Sequence, residues 1–232
     1  MVTAQRFAQG MTFEQYLAFI ATPANLKREA SALAARRRED RAPLLRQWYA
    51  DARLSDAQLG AIKWLAAQPN GPSKVLVISE EWSSDCRRDV PVFQRIAEAG
   101  GMELRIFARD GQRFSGAPEP DPNESPNADL MRQFLNRKDG KTFQSIPVAA
   151  FYTRDLEHLY TYVEFPAIYH KDRLLAAVRA GRAGETPEQT KERGARDFVE
   201  LQRSPFFRVW ADAAVDEIVT ALHERLIVGS LA

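Results

Sequence analysis

The residues with the most chemical content in this chain are Trp82-Ser83-Ser84-Asp85-Cys86, which hold its single cysteine. One cysteine cannot close an intramolecular disulfide, so any redox chemistry at Cys86 needs a second thiol from outside the chain. The segment follows an apolar run, Lys74 to Ser79, and opens a helical pattern that carries Val90, Phe93 and Ile96. A thiol in the first turn of a helix that follows a buried strand sits near unpaired backbone N–H groups, which favour the thiolate. Arg87 and Arg88 act in the same direction, and Asp85 opposes them. An unperturbed cysteine, with a pKa near 8.5, is only about 3% thiolate at pH 7. The sign of this balance therefore decides between a nucleophile and a small buried hydrophobe.

Other residues with chemical potential are weaker candidates. His158, His170 and His223 are scattered without ligand spacing, so no metal site is expected. Glu80-Glu81 could bring a carboxylate near Cys86, but they are expected to form a solvated strand end. Arg36-Arg37-Arg38, followed by Glu39-Asp40, reads as the solvated face of a helix. Phe206, Phe207 and Trp210 are expected to be core. No cofactor motif is evident.

The elements that must position the cysteine can be read from periodicity and capping. About 70 residues at the N-terminus look helical: Thr12 with Gln15 and Ser55 with Gln58 have the capping-box form, and Pro23 and Pro43 suit first turns. Gln68-Pro69-Asn70-Gly71-Pro72 marks a junction. Val75 to Ile78 then reads as a strand buried on both faces, and residues 84–99 as a helix ending at Gly100-Gly101. Met102 to Phe107 completes a β-α-β unit. Residues 109–127, with Pro118, Pro120, Pro122 and Pro126, read as an exposed loop. A short helix over 128–136 follows, then a hairpin of Val148 to Tyr152 with Leu156 to Val163. Residues after Pro166 read as three helices, over about 167–180, from Thr186, and over about 206–227.

At Trp82 and Pro147 this middle segment resembles the thioredoxin family. The family's Trp-Cys-x-x-Cys loop aligns with Trp82-Ser83-Ser84-Asp85-Cys86, its helix-kinking proline with Pro91, and its cis-proline pair with Ile146-Pro147. The resemblance implies an α/β protein with a thioredoxin-like core, βαβαββα, over residues 74–182. That core would sit between an N-terminal helical extension (1–70) and a C-terminal helical region (183–232). It also implies that Cys86 is the family's second, resolving position, with Ser83 in place of the attacking cysteine. Val77 stands where the family carries a buried acid. A dithiol cycle cannot run in this chain alone.

The expected function is thiol/disulfide chemistry through Cys86 and an external protein or small-molecule thiol. Ser83, Trp82, Ser84 and Asp85 would frame the groove, and Ile146-Pro147 would pair with a bound chain. Two alternatives stand beside it: a binding module of the same fold without chemistry, and a glutathione-binding transferase that holds a thiolate with Ser83 or Ser84. With 32 Lys and Arg against 31 Asp and Glu, the net charge of +1 offers no general attraction to nucleic acid or anionic membrane. No apolar run approaches the ~20 residues that span a bilayer, no secretory signal is evident, and a reducing cytoplasm is the expected compartment.

Overall fold

The computed structural model describes residues 2–31 and 37–231. Among the described residues five short helices lead the chain: α1 (Ala4–Ala8), α2 (Phe13–Ile20), α3 (Pro23–Leu26), α4 (Ala42–Asp51) and α5 (Asp56–Ala66). Both N-terminal capping boxes are formed, Thr12 with Gln15 and Ser55 with Gln58, and Pro23 and Pro43 lie in first turns, where a missing N–H costs nothing.

Then come β1 (Lys74–Ser79), α6 (Ser84–Gly100) and β2 (Glu103–Ala108). Gly101 ends α6 in the left-handed region at φ 62°, which a Cβ would oppose. The chain continues through α7 (Ala128–Met131), a 3₁₀ turn (Arg132–Phe134), β3 (Asn136–Lys138), β4 (Lys141–Phe143), β5 (Val148–Tyr152) and β6 (His158–Val163). The last three helices are α8 (Lys171–Arg179), α9 (Pro187–Arg203) and α10 (Pro205–Leu231).

The main sheet has the order β2-β1-β5-β6, with β1 parallel to β2 and antiparallel to β5, and β5 antiparallel to β6. Val75 to Ile78 are fully buried in the central strand β1, as a strand covered on both faces requires. This is an α/β architecture with the thioredoxin-like βαβαββα order and helices added at both ends. One hydrophobic cluster joins sheet and additions: Phe7, Leu17, Leu45 and Ile62 from the N-terminal helices, and Val215, Ile218 and Leu222 from α10, share it with β1.

Three expectations need correction. The 109–127 loop has no regular element, yet it begins at Arg109 and Asp110, which are buried rather than exposed. A small hairpin, β3 with β4, closes through Asp139 and Gly140 at positive φ; its strands are too short to show periodicity. Phe207 and Trp210 pack with Tyr169 in a second cluster, but Phe206 is exposed.

Candidate functional site

β1 delivers the chain to Ser79, and Glu80-Glu81-Trp82 bridge to the first turn of α6. Ser83 is the N-cap of that helix, and its hydroxyl accepts from the Cys86 N–H at 3.4 Å. The cap leaves Cys86 on the inward face, 1% exposed, in the cluster that holds Val77 and Phe93. Burial pushes the thiol up to about 12, against smaller lowering contributions from the Glu80 backbone, Ser79 and Ser83. The field of the helix N-terminus thus loses to desolvation.

The two arginines that favour a thiolate on paper are engaged elsewhere. Arg88, 3% exposed, holds Asp85 at 2.8 Å and grips Asp89 with two hydrogen bonds of 2.7 Å. Lys171 closes on the other oxygen of Asp85 at 2.5 Å and on Glu164 at 2.6 Å. Burial alone would lower the Lys171 pKa, but Asp85 and Glu164 outweigh it and raise it. Asp85 is therefore a buried anchor for α6 and α8. Arg87 turns the other way, donating to the Glu81 and Trp82 carbonyls and to Gln202.

Glu80 and Glu81 are not a solvated strand end; each is 1% exposed. Nor is Arg38 on a solvated helical face. It is buried, no helix covers residues 37–41, and Arg36 lies outside the described residues. Arg38 pairs with Glu80, with Glu81 at 3.0 Å and with Asp110 at 3.2 Å, while Arg28 pairs with Glu80 at 3.1 Å. Asn25 donates to Glu81 at 3.1 Å, and the Asp110 backbone N–H donates to Glu80 at 2.6 Å. Burial would lower the Arg38 pKa, but Glu80 and Glu81 raise it more. Buried charges survive only when paired and hydrogen-bonded in this way. Local spacing does not reveal the network, because Arg28 and Asp110 are remote in sequence. The one local signal is a pair of acids placed directly after a fully buried strand.

Trp82 is held by the same network. Its indole N–H donates to Asp110 at 3.0 Å, Phe114 packs on it with ring centroids 5.1 Å apart, and the Arg109 guanidinium lies 5.1 Å from its ring. Across from it, the Ile146–Pro147 peptide bond is cis. Trp82, Ser83, Asp85 and Ile146 line one groove of about 710 Å³ together with Phe114 and Lys171. Ser84 faces a second cleft of about 910 Å³, which shares Trp82 with the first. Pro147 is buried and lines neither, and its carbonyl accepts from the Glu164 N–H at 2.7 Å. Among the described residues no cluster of three His, Cys, Asp or Glu side chains could hold a metal ion.

A family model described as thioredoxin matches residues 28–115. The fold is thioredoxin-like. The matched span contains Arg28, Arg38, Glu80, Glu81 and Asp110 of the buried network, and Arg109, which pairs with Asp110 at 2.8 Å, as well as Trp82 and Cys86, and it stops short of Ile146-Pro147. Two solved structures share the fold at 13% identity, each aligned over 96% of this chain and 98% of its own. One is a protein of unknown function from Pseudomonas aeruginosa, with a TM-score of 0.51, and the other is an HIV epitope scaffold, with a TM-score of 0.53. No curated protein matches the sequence. No helix among the described residues is long and apolar enough to cross a membrane.

Proposed function

We propose that this thioredoxin-like protein is a binding module that keeps the family's groove and has set aside its thiol chemistry. The observation that carries this reading is Cys86: 1% exposed, behind the Ser83 cap, with its thiol pushed up to about 12. At neutral pH such a thiol stays protonated, and the thiolate is the species that attacks a disulfide. The groove itself is retained. Trp82 is locked in place by Asp110, Phe114 and Arg109, and no described residue hydrogen-bonds the Ile146 backbone, which supports pairing with an extended segment of a protein partner.

The test is alkylation of the folded protein with iodoacetamide, followed by mass spectrometry, beside incubation with oxidised glutathione. Cys86 is expected to stay unmodified up to about pH 9 and to react once the protein is unfolded in urea. Rapid alkylation at pH 7, or a glutathione adduct on the folded protein, would restore single-cysteine chemistry and overturn the binding-module reading.

A further inference from the structure

The second cleft, which shares Trp82 with the Ile146 groove, has its own chemistry. One wall is apolar, made by Trp48 on α4, Leu175 on α8, and Phe198 and Val199 on α9. The lining is also rich in cations, Arg37, Arg38, Arg41, Arg87, Lys171, Arg179 and Arg203. Its acids are Glu39 and Asp85, and both are engaged, Glu39 by Arg41 and Asp85 by Arg88 and Lys171. At about 910 Å³ it lies within the size range of small-molecule sites.

Arg87 is the residue that gives this cleft a preferred ligand. It is 9% exposed, and its hydrogen-bond partners are all neutral: Nη1 donates to the carbonyls of Glu81 and Trp82, and Nη2 donates to the amide oxygen of Gln202. Its Nε, which shares the side-on fork with Nη2, is buried and has no hydrogen-bond partner among the described residues. Nε–H and Nη2–H are parallel donors at the spacing of the two oxygens of a carboxylate. A cation buried among neutral acceptors and beside a second cation gains more from such a partner than an exposed one does, and burial together with Arg41 already draws its pKa down to about 10.

We propose that this cleft binds a small amphipathic carboxylate, its headgroup across Nε and Nη2 of Arg87 in place of the Gln202 oxygen and its apolar body along Trp48, Leu175, Phe198 and Val199. The cleft adjoins the Ile146 groove through Trp82, Ser83 and Asp85, which line both, but Arg87 and the apolar residues that would hold the ligand line this cleft and not that groove.

Decanoate is a suitable probe, compared with decanol and decyltrimethylammonium, which carry the same tail on a neutral and a cationic head. Trp48 and Trp82 line the cleft, so titrations can be followed by tryptophan fluorescence and checked by calorimetry. Decanoate is expected to bind saturably, with decanol at least roughly tenfold weaker and the cation weaker still, because a charge-assisted bidentate contact is lost. Arg87→Met is expected to weaken decanoate by roughly the same factor. Val199→Glu places a carboxylate in the cleft from an exposed position, does not disturb the core, and is expected to weaken decanoate likewise. Equal affinity for decanoate and decanol, no saturable decanoate binding below about 1 mM, or unchanged affinity in Val199→Glu would overturn the proposal.

Discussion

Ser83 and Cys86 sit three residues apart at the start of α6, and the hydroxyl takes the capping role while the thiol turns into the core. Removing the hydroxyl with Ser83→Ala should cost about 1 kcal/mol in urea unfolding, the usual value for a lost N-cap. A change below about 0.3 kcal/mol would mean the cap carries no weight. Ser83→Cys moves a thiol to the cap itself, where the amides of a 17-residue helix favour the anion. That cysteine is expected to alkylate at pH 7 at least roughly tenfold faster than Cys86, and equal rates would show that burial silences both positions. That Ser83 and Cys86 stand at the family's two cysteine positions is what the resemblance in the sequence implies, and that Ser83 caps the helix was legible from its place before the apolar pattern. The orientation of Cys86 was not, because adjacent arginines count as thiolate partners only if they face the sulfur, and Arg88 faces Asp85 and Asp89.

At the level of elements, the end of β1 is held by charge rather than by apolar packing. Glu80 and Glu81 arrive there together, and Arg38 and Arg28 come from the segment before α4 to meet them. Replacing Arg38 with Met keeps most of the volume but leaves Glu80, Glu81 and Asp110 without their shared cation. Destabilisation of about 3–5 kcal/mol is expected in urea melts, the cost of breaking a buried ion cluster from one side. Part of it should return in the double variant Arg38→Met with Glu80→Gln, which removes one of the stranded charges. A single-variant loss under about 1 kcal/mol would show that water reaches the cluster. Sequence reading placed these residues on solvated surfaces because a charge run taken alone is usually a surface. What it lacked was the sequence-distant partner that makes burial tolerable.

At the scale of the whole molecule, two buried acids shape the response to pH. Burial raises Glu80 to about 6 from 4.5, with Asp110 adding to the shift, and raises Asp89 to about 6 from 3.8 despite Arg88. Their folded values lie above the unfolded ones, so between these limits the native state binds more protons, and stability falls as pH rises through that window. Neutralising part of the charge on both groups by acidification from about pH 7.5 to about 5.5 is therefore expected to raise the melting temperature by roughly 5 °C, given that 1 kcal/mol corresponds to about 2–4 °C for a chain of this size, less the opposing contribution of His158, whose pKa burial lowers. A melting temperature that does not change over that range would show that both acids keep their unfolded proton affinities in the native state, and one that falls on acidification would show that the native state binds protons more weakly than the unfolded one. The shared core makes a second prediction at this scale. Ile218→Ala on α10, at a fully buried position, should cost about 2–5 kcal/mol and do so in a single unfolding transition. A separate early transition would show that α10 unfolds apart from the sheet.

By itself the sequence determined the order of the main-sheet strands and the longer helices, and their caps, because each rests on local periodicity, capping chemistry or the covalent limits of proline, and the resemblance at Trp82, Pro91 and Pro147 pointed to the thioredoxin-like fold. Tertiary structure alone decided what those residues can do. Whether Cys86 meets solvent, whether Glu80 meets a cation and whether Arg87 keeps a free donor over an apolar cleft all depend on segments far apart in the chain. Desolvation and pairing, which set those chemistries, exist only once the fold has brought the segments together.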